Sequence, residues 1–253
     1  MSKSLTFDVV IPTKNEEVNI KLLLNDISKQ TYQPSSIIVA DKSKDNTAKI
    51  AKEFGCKIVE GVDDGYIGKG RNRGIAVSQS DLIIFLDADV RIENTNFFKE
   101  VINEFILKKY DVATCLFKSD KDGIYMNFLF SIYNSIKKLG QRINHVISDA
   151  GSFIIAKRNI IEEIGGFDED IKNNEDILFL NRFIKNKYTF GVINNYIITS
   201  TRRFSNKKLL PLLGVFIAAF LITILYKLRV KKNSKIVSDL EKMYGETGGT
   251  TQD

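Results

Sequence analysis

Residues 82–86 read LIIFL, five apolar side chains in a row with no polar face. A strand alternates its side chains between two sides, so this one has to be covered on both. That is the condition of a central strand in a parallel sheet, with helices layered above and below it. The first two hundred residues agree. Strand-length runs at FDVVIP, SIIVAD, CKIVE, DLIIFLD and DVATCLF alternate with helical periodicity in EEVNIKLLLNDISKQ, DNTAKIAKEFG, GRNRGIAVSQS and NTNFFKEVINEFILKKY. Asp45 is the expected N-cap of the second helix and Gly55 its stop. Further on, IYMNFLFSIYNSIKKLG predicts a helix and SFIIAKRNIIEEIGGF a strand then a helix. NEDILFLNRFIKNK predicts another helix, and TFGVI and NYIITST two short strands. The expected fold class is α/β, a mostly parallel, Rossmann-like sheet flanked by helices.

The apolar run ends in Asp87-Ala88-Asp89. Two carboxylates this close repel, and desolvating them is costly. On an extended backbone both side chains point the same way. A hard divalent cation, Mg²⁺ or Mn²⁺, resolves the repulsion, because such ions take a few carboxylates and complete their shell from substrate phosphates. In an open α/β sheet, ligands bind beyond the carboxyl ends of the strands. The polar residues that follow the predicted strands are Thr13, Asn15 and Glu16, then Asp41, then Asp87 and Asp89. They are expected in one crevice.

Charge narrows the partners. Ten of the 37 Lys and Arg residues and four of the 31 Asp and Glu residues lie beyond residue 200, which leaves 27 of each before it. A neutral body with a basic tail points to an anionic membrane surface rather than to nucleic acid. Leu209–Tyr226 carries no charge and is bracketed by Lys207-Lys208 and KLRVKK. It is read as a membrane segment at the short end of spanning length. Basic residues on both sides leave open whether it crosses the bilayer or lies in the interface. The expected division is a catalytic domain over 1–205, a hydrophobic segment with basic flanks over 206–232, and a polar tail over 233–253. The N-terminus has no long apolar stretch, so no signal peptide is expected. Cys56 and Cys115 fit no metal or redox spacing and are expected to be reduced thiols.

Three further stretches carry chemistry. GKGRNRG, residues 68–74, offers glycines, a helix start and the cations Lys69, Arg71 and Arg73 for a diphosphate, without the dinucleotide fingerprint. GGFDEDIKNNED places Glu175 and Asp176 at a helix start, where a carboxylate both caps the helix and, in a cleft, serves as a general base. Arg202 and Arg203 precede the apolar segment and suit phosphate or lipid headgroups. A single His145 and the lack of Gly-x-Ser-x-Gly argue against a hydrolase triad.

The order VVIPTKNEE, IVADKSKDNT, GKGRNRGIAVSQSDLIIFLDADV and GSFIIAKRNIIEEIGGFDE with NEDILFLNRF resembles the family 2 glycosyltransferases of the GT-A fold, over roughly residues 7–205. The resemblance implies inverting transfer of a sugar from a nucleotide-diphosphate donor. It implies that Pro12, Asn15 and Glu16 line the nucleotide pocket with Asp41, which faces the base, and that Arg71 lies near the diphosphate. It makes Asp87 and Asp89 the metal pair, Asp89 the direct ligand, and Asp176 the base, with Glu175 beside it. The second block reads Ala40-Asp41-Lys42 where the family often has two aspartates and a glycine, which leaves the nucleotide open. VRIENTN replaces the SHHP-like run of dolichyl-phosphate mannose synthases. Those relatives tend to lack a Glu-Asp base, since a phosphate acceptor is already ionised. Glu175-Asp176 therefore favours a hydroxyl acceptor, lipid-linked or saccharide, at the cytoplasmic membrane face. Competing readings are a polyprenyl-phosphate sugar synthase, a sugar-phosphate nucleotidyltransferase, and an inactive nucleotide-sugar binder at the membrane.

Overall fold

A computed structural model describes residues 5–62, 65–121, 123–146, 151–172 and 174–201. The chain divides into two units. Met1–Lys118 with Asp149–Thr199 forms the first, and Ser119–Ser148 with Ser200–Asp253 the second.

The first unit is built on strands and helices that alternate as the apolar runs predict. β1 (Phe7–Thr13) leads to α1 (Glu17–Ser28), β2 (Ser36–Asp41) to α2 (Thr47–Glu53), and β3 (Lys57–Glu60) to α3 (Ile67–Val77). β4 (Leu82–Leu86) is buried at every residue, as its sequence requires. A two-residue strand, β5 (Val90–Arg91), follows, then α4 (Phe97–Leu107) and β6 (Val112–Ser119). In the second unit, α5 spans Ile124–Arg142, and Thr201 donates through N and Oγ1 to Asp120 Oδ1. The first unit resumes with β7 (Phe153–Lys157), α6 (Arg158–Ile164), α7 (Glu175–Lys185) and β8 (Phe190–Thr199). The two short strands expected at its end are one continuous strand.

The sheet runs β3-β2-β1-β4-β7-β6-β8-β5. Its β3–β4 half is parallel, with Pro12 level with Ala40, Thr13 with Asp41, and Val10 with Phe85. The expected parallel character stops at β4. β7 pairs antiparallel with β4, Leu86 opposite Phe153, and β6 is antiparallel to β7. This reversal brings the start of β7 to the same edge as the carboxyl ends of β1, β2 and β4.

Helices cover both faces. On one, α4 packs Phe98 against Phe7 and Phe97 against Phe153. On the other, Phe85 meets Phe167 and Phe179, which stack on each other with centroids 3.9 Å apart. α3 lies on this second face through glycine. A Cβ on Gly74 would fall 2.3 Å from Val10 Cγ1, and one on Gly70 would touch Pro12 and Ala40. The glycines of GKGRNRG thus lie within the helix, where they let it approach the sheet closely.

The N-cap of α2 is Asn46, one residue past the expected Asp45, whose carboxylate instead accepts from the backbone N and Oγ1 of Thr47 just inside the helix; Gly55 takes φ +78° after α2, the stop the sequence predicts. Among the described residues no helix is long and apolar enough to cross a membrane. The segment 206–232, the tail 233–253, and Arg202 and Arg203 lie outside the described residues.

Candidate active site

Asp87 follows Phe85 by two residues, so strand alternation turns it toward the face that carries α3 and α7. Arg71 meets it there from α3. Arg71 is 1% exposed, and its Nη2 donates to Asp87 Oδ1 at 3.1 Å and to the Gly151 carbonyl at 3.1 Å. Nη1 donates to Glu175 Oε1 at 2.5 Å. Burial by itself lowers the pKa of this cation. Glu175, then Asp87 and Asp176, outweigh that and raise it. Arg71, expected beside a diphosphate, therefore bridges the strand-end carboxylate to the helix-start carboxylate and positions both.

Glu175 and Asp176 open α7 and are both buried. Gly151 N donates to Asp176 Oδ2 at 2.8 Å, and Ser152 Oγ to Asp87 Oδ2 at 3.3 Å. Nothing in the sequence marks Gly151 and Ser152, because only the antiparallel entry of β7 brings them to this edge. The first turn of a helix favours negative charge, so the α7 dipole complements both Glu175 and Asp176.

The loop before α7 is tied in by Asn72. Its side chain donates to the Phe167 carbonyl at 2.9 Å and accepts from Phe167 N at 2.8 Å. Gly166 has φ +70°, and a Cβ there would lie 2.6 Å from Asn72 Oδ1. The Gly-Gly turn thereby sets Phe167 under Arg71, whose Cζ is 5.2 Å from the ring centroid.

The backbone past Asp87 is not extended. It turns at Ala88 and Asp89 before β5, so the expected same-side arrangement of the two carboxylates does not rest on strand geometry. Both are half-buried. Arg91 fixes the far side of this turn by donating to Asp26 of α1 from Nε at 2.6 Å and Nη2 at 2.9 Å, while Ile92 N donates to Asp26 Oδ2. This fork is what the VRI segment contributes, and the sequence reading did not find it.

Among the described residues no three His, Cys, Asp or Glu side chains form a metal cage. A pair of carboxylates at a crevice fits the kind of cation that takes one or two protein carboxylates and draws the rest of its shell from water and substrate phosphate. Asp87 is engaged by Arg71 and Ser152.

The expected nucleotide residues gather at the ends of β1 and β2. Thr13 Oγ1 and Ser43 Oγ both donate to Asp41 Oδ1 at 2.6 Å, and Ser43 N donates to Oδ2 at 3.2 Å. Asn15 sits at φ 54° and binds across the gap, its N donating to Ser43 Oγ and its Oδ1 accepting from Lys44 N. Glu16 N donates to Thr47 Oγ1, and its carboxylate accepts from Asn19. Pro12 is half-buried beside Ala40. Lys69 lies over the Tyr66 ring, 4.7 Å from its centroid. A cavity of about 650 Å³ lined by Leu82, Tyr110, Lys157 and Arg158 opens at the other edge of the sheet, away from every one of these groups.

The family model for glycosyl transferase family 2 matches residues 8–165. Among curated proteins, 4,4'-diaponeurosporenoate glycosyltransferase of Staphylococcus haemolyticus is 33% identical over 111 residues, which covers 42% of this chain and 30% of that one. The O-antigen chain rhamnosyltransferase WbaN of Salmonella anatum is 29% identical over 199 residues, 72% of this chain and 62% of that one. Both matches cover less than two thirds of the relative. Two solved structures share the fold. TarS 1–349 of S. aureus with UDP-GlcNAc superposes with TM-score 0.65 at 21% identity, covering 96% of this chain and 71% of that one. The mannosyltransferase PcManGT of Pyrobaculum calidifontis, with GDP-Man and Mn²⁺, gives 0.65 at 17% identity, covering 97% and 70%.

Proposed function

Because the chain belongs to glycosyl transferase family 2, we propose that it is an inverting glycosyltransferase that moves a sugar from a nucleotide-diphosphate donor to a hydroxyl acceptor. The observation that carries this is the buried Arg71 bridge. It holds the strand-end carboxylate Asp87 and the helix-start pair Glu175 and Asp176 in one network.

The roles follow from position. Asp176 takes the proton from the acceptor hydroxyl as its oxygen attacks the anomeric carbon. The bond from that carbon to the diphosphate oxygen breaks on the opposite face, and its electron pair leaves with the nucleotide. One displacement inverts the centre. Glu175 and Arg71 position Asp176 and Asp87. A Mg²⁺ or Mn²⁺ held by Asp89 and Asp87 would neutralise charge developing on the leaving diphosphate. Asp41, Thr13, Asn15, Glu16 and Pro12 form the nucleotide end of the crevice, and Lys69 the diphosphate side. The UDP-GlcNAc and GDP-Man complexes of the structural neighbours support such a donor, and the Mn²⁺ of the second supports the metal. The apolar segment 209–226 with its basic flanks, and Arg202 and Arg203 before it, support a lipid-linked acceptor at the cytoplasmic membrane face. The O-antigen relative supports a saccharide acceptor.

The test is calorimetry with UDP- and GDP-linked sugars, with and without Mn²⁺, on the wild type and Asp89→Ala. Metal-dependent binding of one donor, lost in Asp89→Ala, is expected. Transfer to a hydroxyl acceptor should then fall by roughly 10²–10⁴-fold in Asp176→Asn, with donor affinity kept. Undiminished transfer by Asp176→Asn to a polyprenyl phosphate would replace this reading with the phosphate-acceptor synthase.

A further inference from the structure

The candidate site makes no use of α5, the helix of the second unit. Leu129, Ile136 and Gly140 lie on its buried side. An outward stripe runs at helical spacing through Ile124, Phe128, Ser131, Ser135, Lys138 and Arg142, every one of them exposed. Its first turns are apolar. Ile124 is 93% exposed, Phe128 62% and the adjacent Tyr125 44%. Apolar side chains scattered singly over a surface are ordinary, but three large ones side by side on one helix form a patch that calls for cover.

Charge says what covers it. α5 holds Lys137, Lys138 and Arg142 and no Asp or Glu. Lys137 is buried over the Tyr133 ring, whereas Lys138 and Arg142 end the outward stripe. The second unit, Ser119–Ser148 with Ser200–Asp253, has 14 of the 37 Lys and Arg residues but only 6 of the 31 Asp and Glu residues. That leaves 23 basic and 25 acidic residues in the first unit, so the positive surplus of the chain belongs entirely to the unit that exposes the patch. The uncharged Leu209–Tyr226 sequence belongs to this unit too. A second copy of the chain would bring like charge to a shared contact. An anionic bilayer offers apolar depth to the patch and phosphates to the cations.

We propose that the outward face of α5 is a membrane-contact surface. Ile124, Tyr125 and Phe128 enter the headgroup boundary of an anionic bilayer, and Lys138 and Arg142 stay among its phosphates. This rests on the membrane reading of the 209–226 segment and extends it to a second element. Three side chains cannot hold the chain by themselves, since even a single acyl chain gives only marginal binding. The helix seats the second unit on a bilayer to which the 209–226 segment attaches it.

The chain has no tryptophan, so a single introduced one reports only its own surroundings. The experiment uses the full chain carrying Phe128→Trp, with Leu107→Trp as the control, a side chain of the first unit that is 79% exposed. Each is placed on vesicles of phosphatidylglycerol and phosphatidylcholine whose acyl chains are brominated near the headgroup, and flotation establishes that the chain is attached. Emission from Phe128→Trp should shift to the blue and be quenched roughly twofold or more, and that from Leu107→Trp should change little. Quenching at Phe128→Trp no greater than in the control, on vesicles that carry the chain, would overturn the proposal and leave the 209–226 reading standing. Protection of Phe128→Trp from aqueous acrylamide without quenching by bromine would overturn it in favour of cover by the chain's own 209–226 segment or by a second copy. Equal quenching on phosphatidylcholine alone would overturn it as a surface for anionic lipid. A chain that does not float on the vesicles would instead bring down the membrane reading itself, and this proposal with it.

Discussion

Arg71 shows how one buried cation organises a cluster of carboxylates. An isolated charge in a protein interior is costly, and here the cost is offset by two carboxylates and a carbonyl. Removing the cation leaves Glu175 and Asp87 facing each other without a counter-charge. Arg71→Met is therefore expected to destabilise the fold by about 3–5 kcal/mol in urea denaturation. Arg71→Lys keeps the charge but presents a single ammonium where a fork is needed, so it should regain part of that stability and little of the transfer activity. Asp87, Glu175 and Asp176 were all legible in the sequence as candidates. That Arg71 bonds Asp87 and Glu175 was not, because the motif carries three cations and only their burial separates them. Cys56 makes a second prediction. Burial pushes its thiol from 9.0 up to about 11. The folded chain then keeps a proton that the unfolded chain loses, so stability falls as pH rises from about 9 to 11. Cys56→Ala should show a shallower decline over that window than the wild type when urea midpoints are compared.

At the scale of elements, α3 and β7 do most to build the site. The Gly70 and Gly74 face of α3 presses on β1, and that closeness is what lets Arg71 reach the sheet edge. Alanine is the better helix former by about 1 kcal/mol, so an exposed Gly74 would be stabilised by Gly74→Ala. Here the added methyl would fall 2.3 Å from Cγ1 of Val10, which is fully buried. Overpacking of about 1–3 kcal/mol outweighs the propensity gain, and a net loss of stability is expected in thermal or urea unfolding. β7 contributes by direction. Had it entered parallel, Gly151 and Ser152 would lie at the far edge, and neither Asp87 nor Asp176 would have their hydroxyl and amide donors. The strand itself was evident in SFIIAK, but an apolar run of five has no polarity along the chain, so its direction was not.

At the scale of the whole molecule, the described residues supply a sheet edge that carries the proposed nucleotide end, the Asp87 and Asp89 pair and the proposed base, Asp176. The proposed attachment to membrane belongs to the 209–226 segment. A charge near the centre of such a segment costs about 2.5–3.5 kcal/mol. Phe216→Lys with Phe220→Lys is therefore expected to release the full chain from anionic vesicles in a flotation assay, with donor binding unchanged. Retention on the vesicles would assign the attachment to another surface.

The sequence by itself determined the layered α/β class, the order of the elements and the types of residue that meet at the carboxyl edge. These depend on local periodicity: a strand with no polar face requires cover on both sides, and a polar residue after a strand falls where strands end. Tertiary structure alone decided the reversal at β7, the turn at Ala88 and Asp89, the Asp26–Arg91 fork and the bonding of Arg71 to Asp87 and Glu175. Each of these joins residues tens of positions apart, or depends on which of several like charges is buried, and neither property is written in the spacing of the chain.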